Sequence, residues 1–537
     1  MSNATANTDT TTATPASHDL TSLISPYLDL HMMFPLLEYV DSLISSDAIS
    51  YKSQDVAKAR LNLLRPTHMV DYAMDIYREL HGQESAIPQE MEDQKANVLK
   101  TLDELKADVG CKAFEELCNG NGNGNGNNEQ RNKLVRNGQW NVESIKAASG
   151  LDIDANVIET YRQLAKFNFD CGDYQTAKDM LSNIVSLSAM PPISKGGDGD
   201  NADGNDNDDM IVDDDRASGK KQDKNAPKTG NPNVYYLTSI NTDLLQILWG
   251  KLSCEILLEN WDEASVALKA VRLSIEQLVY TQQMTALQAL NQRTWLLHWS
   301  LFVFWNNSAK GLEAMVELFF SEKYLQAITT NAPHLLRYLT AAVLLTKRRV
   351  AKSTSKDGRS SGNEAKRLLK DLVRLMHNCE YTDPIVQFVE CLCVKFDFEG
   401  AQTKLAECES LLKTDFFLCK RTELFMEEAR VFVFENYCRI HDKVDLGVLA
   451  KKLAMDQEAA EQWIVDLIRN ALLDAKIDSE QNCVVMNAES KTVYEKVMER
   501  TRDLNLRNAA LAQNLKTFVV DSKKEKAKKV KATMEEE

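Results

Sequence analysis

The sequence predicts a mostly α-helical protein, built as an array of helical hairpins that ends in a winged-helix module and a long C-terminal helix. Apolar residues recur at helical spacing through most of the 537-residue chain, and β-branched alternation is scarce before residue 475. Three segments repeat one helix–turn–aromatic pattern. Near the C-terminus, three helical segments pass into two short alternating stretches joined by SEQN. Helix, helix, helix and hairpin is the order of a winged helix.

The composition is that of a globular protein, with 44% hydrophobic and 26% charged residues. A net charge of −16 argues against a protein whose whole surface binds phosphate. The 11 cysteines are scattered, which predicts free thiols in a reducing compartment. The apolar run Trp295–Trp305 is too short to span a bilayer and predicts a buried core helix.

Shifts in composition divide the chain. Segments rich in Asn-Gly, in Asp or in Ser and Lys cannot bury enough apolar surface to offset their ordering entropy. We expect a disordered lead over 1–18, an N-terminal helical region over 19–118, an Asn-Gly linker over 119–128, helical repeats over 129–187, an acidic disordered insertion over 188–233, further repeats over 234–423 with a mobile loop over 351–363, the winged-helix part over 424–488, a C-terminal bundle helix over 489–520 and a charged tail over 521–537.

The repeats share an apolar helix, a short polar turn, and an aromatic residue followed three positions later by alanine. An aromatic residue at the start of the second helix can fill the gap between paired helices, and the alanine lets the two backbones approach closely. This pattern predicts a right-handed, tetratricopeptide-like array. The residues assigned to repeat packing are Tyr174 and Ala177, Trp261 and Ala264, and Phe398 and Ala401.

The winged-helix module is predicted from Leu424 onwards. An amphipathic helix over Leu424–His441 and a shorter one over Val444–Met455 precede a helix capped by Asp456, and AKID and CVVM then pair across SEQN. The last helix and the hairpin carry more acidic than basic residues, so they would repel the phosphates that dominate nucleic-acid affinity.

We therefore expect the wing to dock protein through a strand edge, because main-chain hydrogen bonds form whatever the surrounding charge. The sequence leaves open which hairpin strand is exposed. The residues assigned to docking are Trp463, Arg469, Lys476, Asp478, Val484, Val485 and Met486.

Catalytic motifs are absent from the sequence. It contains no phosphate-binding G-x-x-x-x-G-K-[ST] loop, no G-x-G-x-x-G and no H-E-x-x-H. We expect no enzyme activity, no cofactor and no metal site. The positive run considered for nucleic-acid binding is Lys523–Lys531, for which a solvated tail is the simplest interpretation and a weak RNA contact the alternative.

Helical repeats that run into a protein-binding winged helix resemble the PCI-domain family. Within it, long stretches of this chain are similar to the e-subunit family of eukaryotic translation initiation factor 3. The stretches that carry the resemblance are HMMFPLLEYV (His31–Val40), MVDYAMDIY (Met69–Tyr77), QRTWLLHWSLFVFWN (Gln292–Asn306), PHLLRYLTAAV (Pro333–Val343), DPIVQFVECLCVKFDFEGAQTKLAECES (Asp383–Ser410) and WIVDLIRNALLDAKID (Trp463–Asp478).

The resemblance implies a non-catalytic scaffold subunit. Its expected partners are PCI neighbours, helical-bundle subunits and the d subunit of the same factor, the small ribosomal subunit, and factor 4G, without a membrane and with only weak or indirect RNA contact. It implies a cytoplasmic protein with some nuclear presence. The alternatives are a PCI subunit of the proteasome lid or the COP9 signalosome, or an RNA-binding adaptor.

Overall fold

A computed structural model gives the fold of the chain. It describes residues 18–46, 51–82, 87–119, 155–187, 189–190, 236–237, 241–307, 309–352, 362–379, 381–441, 443–445, 447, 461–462, 464–465, 475–478, 483–486 and most of 493–518. The Asn-Gly linker beyond Asn119, most of the acidic insertion, and the charged tail lie outside the described residues. The chain divides into two units, Met1–Phe432 and Val433–Glu537, and each is considered by itself.

The first unit consists almost entirely of helices in its described part. Before residue 190 these are α1 (Thr21–Ile24), α2 (Met33–Ser45), α3 (Ser53–Leu64), α4 (Val70–His81), α5 (Gln89–Lys106), α6 (Val109–Asn119), α7 (Ala155–Asp170) and α8 (Tyr174–Leu187). After residue 240 they are α9 (Thr242–Leu257), α10 (Trp261–Tyr280), α11 (Ala286–Asn306), α12 (Ala309–Phe320), α13 (Glu322–Asn331), α14 (Leu336–Lys352), α15 (Gly362–Asn378), α16 (Pro384–Glu390), α17 (Phe398–Thr414) and α18 (Thr422–Ile440), the last of which runs on into the second unit.

Successive helices pack as neighbours, as expected for hairpin repeats: α7 on α8, α8 on α9, α9 on α10, and α16 on α17. Local signals set their ends. Asn241 caps α9 through the backbone N–H of Leu244, and Thr285 and Gln288 form a capping box at the start of α11. The mostly helical class predicted from apolar spacing is therefore confirmed.

The three repeat turns share one backbone geometry. Gly172, Glu259 and Phe396 each adopt positive φ, at 91°, 58° and 55°, and each lies two positions before the repeat aromatic residue. At the first two turns the following N–H reaches back five residues, from Asp173 to the Asn168 carbonyl and from Asn260 to the Glu255 carbonyl. This is a Schellman ending, which satisfies helix-terminal carbonyls and reverses the chain. At the third turn, where the segment Cys391–Lys395 is π-helical, the corresponding N–H reaches back six residues, from Asp397 to the Cys391 carbonyl.

The predicted core helix is buried in the first unit. In α11 the side chains of Leu296, Leu297, Leu301 and Val303 are fully buried. Trp299 donates its indole N–H to the carbonyl oxygen of Tyr27, 3.0 Å away, so the N-terminal segment packs against this helix. No helix in the described part of the chain is long and apolar enough to cross a membrane.

The structure corrects several predicted boundaries. Ala189–Met190 (β1) pairs antiparallel with Tyr236–Leu237 (β2), so two residues assigned to the insertion are strand. The helices α14 and α15 each take two residues of the predicted loop 351–363. His18, assigned to the disordered lead, accepts a 2.7 Å hydrogen bond from Arg337 through its carbonyl. The predicted helix Val444–Met455 is wrong at its start, because Lys443–Asp445 forms a strand, β3.

Candidate partner-docking site

A three-stranded antiparallel sheet forms part of the second unit. Its strands are β3 (Lys443–Asp445), β4 (Ala475–Asp478) and β5 (Cys483–Met486), in the order β3–β5–β4. Asp478 pairs with Cys483, so β4 and β5 form the hairpin across SEQN that the sequence predicts. The added strand β3 comes from before the helical stretch that precedes the hairpin. Its three residues are too few for a periodic signal, which is why sequence reasoning missed it.

The register gives the sheet one apolar face and one mixed face. Val444, Val484 and Ile477 lie opposite one another in one row, and Ala475 pairs with Met486 on the same side. The alternate residues stand on the other face in two rows. These rows are Lys443, Val485 and Lys476, and Asp445, Cys483 and Asp478.

The residues of the three described strands therefore carry no excess of positive charge. Two lysines stand in one row and two aspartates in the next, so their formal charges cancel. A nucleic-acid reader would need a net positive face to hold phosphates.

Strand order decides which backbone edges can pair with a partner. β5 is bonded on both sides, to β3 and to β4, so a free edge on the strand of Val484 is excluded. Among the described residues, the outer edges belong to β4, which carries Lys476 and Asp478, and to β3. A proline at Val484 would remove a hydrogen bond within the sheet, because β5 is the central strand, and would therefore not test docking.

Two of the assigned docking residues, Trp463 and Arg469, lie outside the described residues. Their neighbour Ile464 is helical and fully buried, whereas Glu461 and Gln462 are exposed. This agrees with the apolar stripe that the sequence predicts for the helix before the hairpin.

The C-terminal segment exposes an apolar stripe that sequence reasoning did not single out. All described residues between 493 and 518 are helical and exposed. Val497, Leu504, Leu511 and Phe518 are 57%, 58%, 59% and 72% exposed, and they recur at intervals of seven. A seven-residue apolar repeat on an exposed helix is the pattern that packs against other helices. The spacing could have been read from the sequence.

The six residues assigned to repeat packing occupy equivalent places. Tyr174, Trp261 and Phe398 each begin a helix and are half-buried. The alanines three positions later, Ala177, Ala264 and Ala401, are fully buried. The Tyr174 hydroxyl lies 2.9 Å from Nδ1 of His31, which joins the first of these turns to α2's N-terminal side. Their role in repeat packing stays a prediction that agrees with this burial.

Three buried charged residues of the first unit form one cluster. Arg337 bonds Asp383 (Nη2 to Oδ1, 2.6 Å) and Asp415 (Nη1 to Oδ2, 3.1 Å), and the Tyr338 hydroxyl donates to Asp415 at 3.0 Å. Burial raises the pKa of Asp415, and the guanidinium and hydroxyl oppose that rise. Asp383 also accepts from the Ile385 N–H at the start of α16, and Asp415 from Phe417 N–H. With these bonds the cluster connects the N-terminal segment, α14, α16 and α17 and leaves no carboxylate free for proton transfer.

Nucleophilic and metal chemistry has little support in the described part of the chain. Burial raises the pKa of the Cys111 and Cys254 thiols to about 12, which keeps both protonated and unreactive near neutrality. Within the described residues, no group of three or more His, Cys, Asp or Glu side chains could hold a metal ion.

Comparisons with known proteins agree on one family. Models of the eIF3 subunit 6 N terminal domain and of the PCI domain match residues 19–168 and 405–488. A protein of Arabidopsis thaliana, named as the E subunit of eukaryotic translation initiation factor 3, is 34% identical over 512 residues, covering 93% of this chain and 96% of its own length. The proteins of that name from Aedes aegypti and Bombyx mori are 35% and 34% identical, covering 96% and 92% of this chain and 97% and 94% of their own lengths.

Proposed function

The chain belongs to the E-subunit family of eukaryotic translation initiation factor 3, and from this premise we propose that it is a non-catalytic scaffold subunit of that factor. It docks sister subunits through its PCI module and C-terminal helix, and so helps to recruit the small ribosomal subunit and mRNA. The names of the relatives favour this factor over the proteasome lid and the COP9 signalosome.

One observation carries the proposal. The stripe Val497, Leu504, Leu511 and Phe518 is an apolar helix face with no partner among the described residues. Covering four such partly exposed apolar side chains would stabilise the helix by roughly 1–2 kcal/mol each. A helix of this kind is stabilised when other helices cover it, which is what a multi-subunit assembly provides.

The open edge of β4 supplies a second, directional contact. Strand addition there would continue the sheet into a neighbouring subunit, with Lys476 and Asp478 on the added edge. Val484, Val485 and Met486 would support that edge from the central strand. The d subunit and factor 4G are proposed partners of the helical array, and the cytoplasm, with some presence in the nucleus, is the proposed compartment.

Affinity purification of the tagged full-length chain from cells of its own organism tests the function. We expect the other subunits of the initiation factor and the small ribosomal subunit in near-stoichiometric amounts by mass spectrometry. A tagged chain whose two leucines Leu504 and Leu511 are changed to aspartate is the control. Recovery of lid or signalosome subunits in place of initiation-factor subunits would contradict the proposal.

A further inference from the structure

An open groove lies between α13 and α15 in the first unit, away from the PCI module along the sequence. Its volume is about 580 Å³, within the range of roughly 300–1,000 Å³ typical of ligand pockets. Its apolar lining comes from Phe320 at the end of α12, Leu325 of α13, and Leu368 and Leu375 of α15. Phe320, Leu325 and Leu368 are only half-buried, so the groove offers them to an apolar ligand.

The rim of the groove on α15 is basic. Arg367 and Arg374 line it, with side chains 84% and 78% exposed. Both approach the single carboxylate of Asp371, at 3.8 and 3.4 Å, so one positive charge remains in excess. Lys366 and Lys370 are exposed on the same helix and add two more.

This basic rim belongs to a longer basic stretch of the chain. Residues 347–377 contain ten Lys or Arg and three Asp or Glu, in a protein whose net charge is −16. A groove with an apolar floor and a cationic rim is complementary to a peptide with a few apolar residues between acidic ones.

The chain itself carries such a peptide. Residues 208–215 read DDMIVDDD, in which Met210, Ile211 and Val212 are flanked on both sides by aspartates. We propose that this segment binds in the α13–α15 groove of its own chain, with the three apolar side chains on the floor and the aspartates against the rim of α15.

The length of the connecting chain allows this. β1 and β2 pair at the base of the acidic insertion, Met190 opposite Tyr236, and hold its two ends together. From Met190 to Met210 is 20 residues. Such a stretch spans ~66 Å when extended and about 25 Å on average when flexible. Attachment to the same chain gives the segment an effective concentration of the order of millimolar, so weak contacts suffice to fill the groove.

The apolar floor favours a peptide over RNA. Phosphates are held by exposed cations, and bases stack on exposed aromatic rings, whereas the groove floor is formed by leucines and one half-buried phenylalanine.

Carbodiimide cross-linking of the full-length chain tests the proposal, because this reagent joins carboxylates only to amines in direct contact. We expect peptides containing Asp208–Asp215 to be linked to Lys366 or Lys370. The variant Met210→Ser/Ile211→Ser/Val212→Ser keeps all the aspartates. Its yield of this cross-link should nevertheless fall by about tenfold or more, because burial of even one large apolar side chain changes a binding constant by that factor. Lys323 and Glu276, 2.9 Å apart, should cross-link equally in both chains as an internal control.

Three results would overturn the proposal. The first is no cross-link to α15 in the wild-type chain. The second is an undiminished cross-link in the triple-serine variant, which would mean contact by charge alone. The third is a cross-link between isotopically light and heavy chains in a mixture, which would place the segment on a second copy.

Peptide binding gives an independent measurement. A fluorescent peptide of residues 206–216 should bind the triple-serine chain at least about tenfold more tightly than the wild-type chain, whose own segment competes. Changing Arg367 and Arg374 to Gln should abolish that binding, and Arg78→Gln, a matched exposed arginine paired with Asp75, should not. Two results would contradict the proposal. One is that a control peptide, in which aspartates separate the apolar residues, binds as tightly as the peptide of residues 206–216. The other is that oligouridylate binds and the peptide does not; either result would mean that the groove binds polyanions in general.

Discussion

His298 and His334 face each other through their Nε2 atoms, which lie 2.8 Å apart in the core of the first unit. Nδ1 of His298 lies 2.7 Å from the Thr294 carbonyl oxygen and must therefore carry the hydrogen. Burial lowers the pKa of both rings far below neutrality, so both are neutral near pH 7 and His334 donates from Nε2 to Nε2 of His298. Tyr27 stacks on His298, with ring centroids 4.3 Å apart, and covers the pair.

The pair should make the first unit sensitive to acid. Burial lowers the pKa of His298 to about 3 and that of His334 to about 4. Between pH 6.5 and about 4 the unfolded chain takes up protons that the folded chain excludes, so stability falls as pH is lowered. Each histidine contributes a slope of up to about 1.4 kcal/mol per pH unit. Urea denaturation followed by tryptophan fluorescence should show a smaller slope for His298→Leu/His334→Leu. The exposed His377→Leu is the control, and an unchanged slope in the double variant would contradict the prediction.

Arg337→Met should destabilise the first unit by about 3–5 kcal/mol, because it leaves Asp383 and Asp415 buried without their counter-charge. The loss is measured as the free energy of unfolding. Adding Asp383→Asn and Asp415→Asn should restore part of it. Arg78→Met removes an exposed pair and should cost less than about 1 kcal/mol. Equal losses for the two arginine variants would show that the buried cluster does not stabilise the fold.

Ala264→Leu should cost roughly 1–3 kcal/mol or more of unfolding free energy, since the alanine is fully buried in a repeat helix. Ala286 is exposed at the start of α11 and offers the matched control, Ala286→Leu, for which we expect almost no change. A neutral result at Ala264 would mean that the adjacent helices separate without penalty, contrary to close packing.

Proline scanning of β4 should locate the docking edge. Successive N–H groups of a strand point to opposite edges, so one of Lys476→Pro and Ile477→Pro breaks a bond to β5 and the other removes an outward donor. Only the second should keep the sheet intact, by circular dichroism and protease resistance, and yet lose sister subunits on affinity purification. Retention of all subunits by both variants would exclude strand addition at β4.

Leu511→Asp should release the chain from its assembly without unfolding it, because the side chain is 59% exposed and contributes little burial to the chain itself. Leu506→Asp is the matched control. Leu506 is 60% exposed on the same helix, but it lies off the seven-residue stripe. Sedimentation of the tagged complex distinguishes them: the first variant should appear as free chain and the second with the intact factor. Identical profiles would show that the stripe is not the bundle contact.

Much of the fold is local in origin and could be predicted. The helices follow from apolar spacing, and the repeat turns from one pattern of turn residue and aromatic residue, even where Gly172 is replaced by Glu259 or Phe396. The hairpin follows from alternation on either side of SEQN. Each of these features depends on residues within about one helical turn or one strand of each other. Such residues are close in the sequence, so their pattern can be recognised there.

Other features depend on residues far apart in the chain, and only the tertiary structure decided them. The outer edges belong to β3 and β4 because β3, some 40 residues upstream of β5, pairs with β5 on the side opposite β4. Arg337 is stabilised by Asp383, Asp415 and the carbonyl of His18, which no short-range pattern connects. Pairing of this kind is fixed by packing of the whole unit, because a strand edge or a buried charge is satisfied by whichever group the fold brings within hydrogen-bond distance.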